Sequence, residues 1–377
     1  MQLSRENSRY SSHRTRINFS WYFPLIDDVQ KYPGRRIFRK RVLIMVTIKD
    51  IANRLGIAPS TVSKGLNDAK DISPELKKLV LDTAIEMGYV TKRMKKETRK
   101  RLCIFIENME YEMPGDFGFE IILGFKQAAV RNSWDVTVVP ITPLLQLRDP
   151  YDRYMVKNNF HGGFLIGFAL KDPWMSQLKT TTIPTVLFDN YILKNPNVGY
   201  VGTDSFEGID LAIDHLTELG HTKIALLNGS PNSMVTVNRY DAYINSMQGH
   251  HLKIDENLIA HGHYVEDSAK YHLSTLFQNG ATAIICGNDL LAVGVIKECA
   301  RLSIKIPQEL SVVGFDNLPI AEKITPALTT VCQNRIDLGR NSYAALYWLI
   351  AKVPISRSLL RPHLIVRNST ARLHTAQ

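Results

Sequence analysis

A short stretch near residue 60 carries side chains that could bind a polyanion. If it is a helix, Val62 and Leu66 form its buried face, and the outward face presents short or basic hydrogen-bonding groups, namely Ser60, Thr61, Ser63 and Lys64. Hydroxyl and ammonium groups of this kind donate to the phosphates and base edges of DNA. The spacing therefore favours a DNA-contacting surface, although an ordinary surface pair of helices has a similar pattern.

The residues around this stretch predict the elements that would position it. Thr47 can cap a first helix, with Asp50 reaching back, and an apolar stripe follows at helical spacing: Ile48, Ile51, Ala52 and Leu55. Gly56 can end that helix, and Pro59 suits the first position of the second. Ser73 can cap a third helix. These signals predict a helix-turn-helix closed by a third helix.

The charge of the chain is unevenly distributed. The net charge of +10 divides into +7 over residues 1–45, +6 over residues 46–101 and −3 over the remainder. The basic charge therefore lies at the end that carries the helix-turn-helix pattern. Because neutralising phosphates supplies most non-specific affinity for DNA, this distribution favours a nucleic-acid partner.

Residues 1–45 show no sustained helical or strand period, and no apolar core of a secretory signal follows their basic start. Two interpretations remain open. The segment is a basic, disordered arm that touches DNA, or it lies upstream of the natural start at Met45. The second interpretation is preferred because Val-Thr-Ile-Lys directly follows Met45, and the proteins that this chain resembles, as described below, typically begin one or two residues before that Thr.

From Leu102 onward, buried apolar runs alternate with amphipathic segments. The predicted strands are 102–106, 134–140, 163–167, 184–188, 223–227, 282–286 and 310–315, and the helices between them include 119–131, 207–219 and 289–302. This alternation predicts an α/β fold with parallel sheets. Ligands of such folds bind beyond the carboxyl ends of the strands.

Several function classes are disfavoured. The four cysteines are scattered, without a CxxC pair, so we predict a reducing cytoplasm, no disulfide framework and no metal site. Nucleophile elbows, P-loops, HExxH and GxGxxG are absent, so we predict neither an enzyme nor a cofactor. No apolar run reaches membrane-spanning length, and no membrane partner is expected.

The segments TIKDIANRLGIAPSTVSKGLN and ISPELKKLVLDTAIEMGYV resemble the headpiece of the LacI/GalR family of bacterial transcriptional regulators. VGTDSFEGIDLAIDHLTELGHTKIALLNG, TAIICGNDLLAVGVIKE, IPQELSVVGFDNLPIAEKITPALTTVCQN and LIVRNS resemble the family's core. The resemblance runs from about residue 46 to 369. It implies a small all-α three-helix headpiece followed by a two-lobed α/β core like that of periplasmic binding proteins.

The resemblance also implies domain boundaries. The basic leader covers 1–45, the headpiece 46–91 and a basic hinge 92–101. One lobe comprises 102–220 plus 333–360, and the other 221–332 plus 361–377. The family pattern places a Leu wedge in the hinge, where this chain has Thr98. We therefore expect the hinge to bind phosphates instead, through Lys92, Arg93, Lys95 and Lys96, unless it is simply a solvated linker.

Residue roles in the headpiece follow from the same resemblance. Pro59, Ser60 and Lys64 would face base edges, and Lys64 stands where the family usually has Arg, whose planar fork it lacks. Thr47, Thr61, Ser63 and Asn67 would contact phosphates. Each polar group could instead be a solvated side chain or a helix cap, most of all Thr61 and Asn67.

The core residues implied to bind a ligand lie in recognisable motifs: Arg239 in VNRYDAY, Asn288 in GNDLL, Asp316 in GFDN, with Glu207, Asp189, Gln333 and Phe119 as weaker candidates. Phe119 and Phe168 could stack on a sugar face. Arg, Asn and Asp together suit vicinal hydroxyls. Asn288 could merely cap a helix, and Asp316 could merely satisfy loop backbone.

These observations lead to one preferred function. The chain is expected to be a homodimeric repressor that binds a pseudo-palindromic operator in the cytoplasm, beside the nucleoid, and responds to a sugar or sugar derivative. One alternative is a regulator controlled by a protein co-regulator. A sugar-binding protein of the transport type is a further alternative, which the basic headpiece disfavours.

Overall fold

The computed structural model describes residues 46–67, 69, 71–87, 89 and 100–373. The leader 1–45 and hinge residues 92–99 therefore lie outside the described residues. The remaining two positions of the predicted hinge, Lys100 and Arg101, form the start of strand β1 instead. Arg101 is held there because its Nη1 donates to the carbonyl oxygen of Asn158 at 3.0 Å and its guanidinium lies 4.9 Å from the centroid of the Phe160 ring.

The headpiece contains three helices, α1 (Ile48–Leu55), α2 (Pro59–Leu66) and α3 (Pro74–Glu86). Thr47 and Asp50 form the predicted capping box, and Gly56 ends α1 at φ 65°. Ser73 accepts a hydrogen bond from the backbone N–H of Leu76 at 3.2 Å, as expected of an N-cap. The helices enclose a small core of Ile51, Ala52, Val62, Val80, Ala84 and Tyr89.

The core contains two six-stranded sheets. The first has the order β11-β5-β4-β3-β1-β2 and is parallel throughout. Its strands are β1 (Lys100–Ile106), β2 (Trp134–Pro140), β3 (Gly162–Ile166), β4 (Thr185–Phe188), β5 (Val198–Thr203) and β11 (Arg357–Leu360). We call this sheet with its helices lobe 1.

The second sheet has the order β12-β10-β9-β8-β6-β7, and only β12 is antiparallel to its neighbour. Its strands are β6 (Ile224–Asn228), β7 (Ile259–His261), β8 (Ala283–Cys286), β9 (Ser311–Asp316), β10 (Thr329–Cys332) and β12 (His363–Ile365). We call this sheet with its helices lobe 2. In both lobes the inner strands are buried on both faces, which explains their continuous apolar sequences.

Helices cover both faces of each sheet. Lobe 1 carries α4 (Phe117–Arg131), α5 (Pro143–Arg148), α6 (Tyr151–Lys157), α7 (Pro173–Gln177) and α13 (Arg335–Ile350). Lobe 2 carries α8 (Ser205–Glu218), α9 (Met234–Gly249), α10 (Ala269–Gln278), α11 (Asp289–Arg301) and α12 (Pro319–Lys323).

The first crossing between lobes differs from the predicted boundary at residue 220. Helix α8 buries Ile209, Ile213 and Leu216 in the same apolar cluster as Ile224 of β6, so it belongs to lobe 2. The chain therefore leaves lobe 1 after Thr203. The later crossings lie between β10 and α13 and between β11 and β12.

Among the described residues, no helix combines the length and apolar composition needed to cross a membrane.

Candidate nucleic-acid interface and ligand cleft

Helix α2 presents the predicted polar face. Pro59, Ser60 and Lys64 are exposed, and Thr61 and Ser63 are partly exposed. Pro59 at the start of α2 has no N–H and the Thr61 N–H donates to the Ala58 carbonyl oxygen at 2.9 Å, so the helix dipole is what makes this end favourable for phosphate. Helix α2 packs closely against α3, because a Cβ on Gly65 would lie only 2.9 Å from Val80 of α3. The geometry is suited to insertion of α2 into a groove.

Three of the predicted DNA contacts already have partners within the headpiece. Lys64 forms an ion pair with the exposed carboxylate of Asp71, so DNA would have to displace Asp71 before Lys64 could reach a base. The Asn67 amide donates to the carbonyl oxygen of Ser63 at 2.8 Å, and the Thr47 hydroxyl donates to Asp50 at 2.7 Å. The capping role considered for Asn67 is therefore present in the free protein. The predicted hinge contacts Lys92, Arg93, Lys95 and Lys96 lie outside the described residues.

The headpiece also touches lobe 1. Asp82 on α3 accepts from Arg153 Nη2 on α6 at 2.5 Å, with the Arg153 side chain 21% exposed. This ion pair is a direct link between the three-helix headpiece and the core.

The candidate ligand site lies where the two lobes meet. Asp189 follows β4 of lobe 1, and Asp316 ends β9 of lobe 2. Burial raises the pKa of Asp189 to about 7, with Arg239 opposing the shift and Asp316 adding to it. The three charges therefore lie within electrostatic range of one another across the lobes. A direct contact also joins the lobes, because the Leu170 N–H donates to the Asn232 carbonyl oxygen at 3.0 Å.

The backbone conformation at Asp189 sets the direction of its side chain. Its φ is 52°, in the left-handed region. Neighbouring Gly202 leaves the space that its carboxylate occupies, since a Cβ there would lie 2.6 Å from Asp189 Oδ1 and 2.6 Å from the Tyr200 hydroxyl.

Arg239 is the best-anchored of the predicted ligand residues. It is 3% exposed, its Nη1 donates to the Gly287 carbonyl oxygen, and its guanidinium lies 3.7 Å from the centroid of the Phe315 ring. Its Nε is buried without a hydrogen-bond partner among the described residues. Such an orphaned donor costs stability unless a ligand or water satisfies it.

Asp316 and Gln333 form a second polar group. Gln333 Nε2 donates to Asp316 Oδ1 at 2.6 Å, while Gln333 Oε1 is buried without a partner among the described residues. Burial raises the pKa of Asp316 to about 6, against the lowering effect of Arg239. A carboxylate, an unfilled acceptor and an unfilled donor on Arg239 are suited to hydroxyl or amide groups of a small molecule.

The other predicted ligand residues have different surroundings. The side-chain oxygen of Asn288 accepts a hydrogen bond from the Leu291 N–H at 2.9 Å. This oxygen therefore caps α11, which is the alternative role considered for Asn288. Glu207 pairs with the exposed Arg361 at 3.1 Å, at the third crossing. Phe119 is partly buried on the first turn of α4. Phe168 stacks on Trp174 at 6.2 Å inside the lobe 1 core, which leaves it poorly placed to stack on a sugar.

Sequence reasoning missed two residues beside the cleft. Tyr264 interacts electrostatically with Arg239, Asp189 and Asp316, and its hydroxyl lies 2.7 Å from Thr236 Oγ1. Arg335 donates to the Asp316 carbonyl oxygen at 2.7 Å. Tyr264 follows a three-residue strand that the sequence pattern did not indicate, and Arg335 carries no motif of its own.

One group of possible metal ligands lies on lobe 2. Asp210 and Asp214 of α8 and His250 after α9 place ligand atoms within 4.8 Å of one another. His250 Nε2 lies 2.7 Å from Asp214 Oδ1 and the Ser246 hydroxyl donates to Asp210 Oδ1 at 2.5 Å, so hydrogen bonds explain this arrangement and we assign no metal to it.

Comparisons with known proteins agree with the two-part architecture. Residues 47–92 match a family model described as bacterial regulatory proteins, lacI family, and residues 213–370 match one described as a periplasmic binding protein-like domain. The HTH-type transcriptional repressor PurR of Pasteurella multocida is 25% identical over 334 residues, covering 86% of this chain and 98% of that protein.

Two solved structures are also similar. The transcriptional regulator CelR in complex with cellobiose gives a TM-score of 0.64 at 24% identity, covering 86% of this chain and 99% of that one. The lac repressor dimer bound to operator gives 0.62 at 20% identity, covering 87% and 99%. At these identities the similarity establishes the fold, namely a helix-turn-helix headpiece followed by a two-lobed core.

Proposed function

The chain belongs to the LacI family of bacterial regulatory proteins, and from that premise we propose that it is a DNA-binding transcriptional repressor whose operator affinity is set by a small polar ligand between its lobes. The exposed polar face of α2 supports the DNA-binding part. The ligand-binding part rests on two buried polar atoms of the cleft, Arg239 Nε and Gln333 Oε1, which have no hydrogen-bond partner among the described residues. Beside them lie two carboxyl groups with raised pKa values, those of Asp189 and Asp316.

We propose a sugar or sugar derivative as the ligand. Vicinal hydroxyls both donate and accept, which suits Asp189 and Asp316 as acceptors and Arg239 as a donor. A site built from such groups also rejects analogues that lack a hydroxyl, because its buried polar atoms would then stay unpaired.

The contact between headpiece and core supplies a physical route for the response. Asp82 of α3 is paired with Arg153 of lobe 1, so a movement of lobe 1 relative to lobe 2 shifts the anchor of the headpiece. Coupling free energies between such sites are typically about 1–3 kcal/mol, or roughly 5- to 150-fold in affinity.

We also propose that the repressor is a homodimer acting on a pseudo-palindromic operator, in the cytoplasm and beside the nucleoid. Large apolar side chains are exposed on α4 and α5 of lobe 1, including Leu144 at 76%, Leu147 at 70% and Val130 at 67%. They lie on helices flanking β2, the edge strand of the first sheet. Exposed apolar surface beside an open edge is suited to a partner copy. Light scattering of the full chain is expected to give a dimer mass, and a monomer at micromolar concentration would contradict it.

Two experiments test the function. Selection of random duplex DNA by the full chain, and in parallel by protein starting at Met45, is expected to enrich a pseudo-palindrome. A thermal-shift panel of pentoses, hexoses, disaccharides, their phosphates and nucleobases is expected to give its largest shift with a carbohydrate. If neither form enriches any sequence, the DNA-binding proposal is wrong. A shift with nucleobases alone would overturn the sugar assignment.

A further inference from the structure

Arg335 occupies the point where the chain returns from lobe 2 to lobe 1. It is the first residue of α13, three residues after β10. The backbones of α13 and α4 touch, because a Cβ on Gly339 would lie 1.9 Å from the Ile121 carbonyl oxygen and one on Gly124 would lie 2.1 Å from that of Ile336. The first turns of α13 are thereby fixed to α4, so the backbone of Arg335 moves with lobe 1.

The guanidinium of Arg335 reaches both lobes. Nη1 donates to the carbonyl oxygens of Asp316 at 2.7 Å and Asn317 at 3.2 Å, at the end of β9 of lobe 2. Nη2 lies 2.8 Å from Oε2 of Glu120 on α4 of lobe 1. The Arg335 side chain is only 7% exposed and that of Glu120 is 41% exposed. A planar guanidinium holds such partners in a fixed mutual geometry, which an ammonium group does not.

The turn that Arg335 binds has an unfavourable backbone. Asp316 has φ 122° and Asn317 has φ 53°, two consecutive residues that lack the freedom of glycine. Strained conformations of this kind persist where surrounding contacts over-determine them. Here the Asn317 N–H donates to Thr330 Oγ1 at 3.4 Å and the Leu318 N–H donates to Asp289 Oδ2 at 2.6 Å, while Arg335 holds the carbonyl side.

We propose that Arg335 is a positioning residue that locks the Asp316–Asn317 turn to helix α4, so that the place of Asp316 in the cleft and the angle between the lobes are set together. The part of this inference that concerns the effector rests on the proposed function. Among the described residues Glu120 is paired with Arg335, and Arg335 in turn holds both carbonyl oxygens of the turn, so we expect Glu120 to affect the turn through Arg335. If ligand binding moves Asp316, the same contacts would transmit that movement to α4.

Hydrogen exchange on the full chain, without DNA or ligand, tests this connection. In Glu120→Ala we expect the amides of Asn317 and Leu318 to exchange roughly tenfold faster, the size of one charge-assisted hydrogen bond. Glu112→Ala, a variant at an exposed residue of the same lobe, should leave them unchanged. Arg335→Lys should give an intermediate rate, because an ammonium keeps the charge and loses the fork.

Equal exchange of these amides in Glu120→Ala and Glu112→Ala would overturn the inference, even if Arg335→Lys failed to fold. Since this readout needs neither operator nor effector, it succeeds or fails independently of the proposed function. A second readout follows the effector. Glu120→Ala is expected to retain operator binding while its ligand-induced change in operator affinity falls at least fivefold. An unchanged ligand response would limit Arg335 to holding the turn and refute the coupling between turn and lobes.

Discussion

Replacing Arg239 with Met should shift the response to ligand to roughly 30-fold higher ligand concentration and leave operator binding intact. Met retains much of the apolar length that packs on Phe315 and removes the charge and the donors. Arg239 is 3% exposed, and it is the cation that opposes the raised pKa of Asp189. In the proposed site Arg239 would donate a charge-assisted hydrogen bond to the effector, and losing a bond of this kind costs about 1.5–3 kcal/mol. At 1.4 kcal/mol per tenfold, a loss of about 2 kcal/mol weakens effector binding roughly 30-fold.

The assay is fluorescence anisotropy of a labelled operator, titrated with the ligand identified by thermal shift. Arg301→Met is the matched control, because Arg301 is 68% exposed and pairs with Glu298 on its own helix. We expect the control to respond as the wild type does. If Arg239→Met responded at a ligand concentration within about threefold of the wild type, the cleft assigned here would not be the effector site.

Three further outcomes follow from the described contacts. Asp71→Asn releases Lys64 from its ion pair and removes a negative charge near the phosphates, so operator binding should tighten about two- to fivefold and depend more steeply on salt; equal salt slopes for variant and wild type would count against this. Ser73→Ala removes the N-cap of α3 and should destabilise the headpiece by about 1 kcal/mol, seen as faster amide exchange throughout α3. Burial raises the pKa of Asp189 to about 7 and that of Asp316 to about 6, so the folded state holds protons that the unfolded chain has already released. Stability should therefore fall as pH rises from about 4 to about 7, and in Asp189→Asn the urea midpoint should depend less on pH than in the wild type.

The headpiece was predictable because its signals are local. A capping box, a left-handed glycine and an N1 proline each act within one helical turn, and all three lie where the sequence placed them. The buried strands of the core were also visible as apolar runs. Helix α13 was less visible, because the face that it buries includes Arg335, Gly339 and Ser342 beside its apolar residues, which weakens the hydropathy pattern of the helix.

Contacts between distant parts of the chain limited the prediction of the cleft. Asp189, Arg239 and Asp316 were named through resemblance, and the structure brings them within electrostatic range. Arg335 becomes noticeable only when α13, β9 and α4 are placed together, since its three partners are 18, 19 and 215 residues away in sequence. The boundary at 220 was misplaced for a similar reason. The sequence from Tyr200 to Glu218 gives no sign that the chain changes lobe between β5 and α8. Only the packing of α8 shows that this helix covers the second sheet.

The most direct test of ligand-gated operator binding is one titration performed twice. The affinity of the full chain for its selected operator is measured by anisotropy with and without a saturating concentration of the ligand that stabilises it. We expect the two dissociation constants to differ by roughly 5- to 150-fold, the range of a typical coupling free energy. Equal constants, with ligand binding demonstrated in the same sample, would contradict the account, because the cleft would then be occupied without any effect on the headpiece.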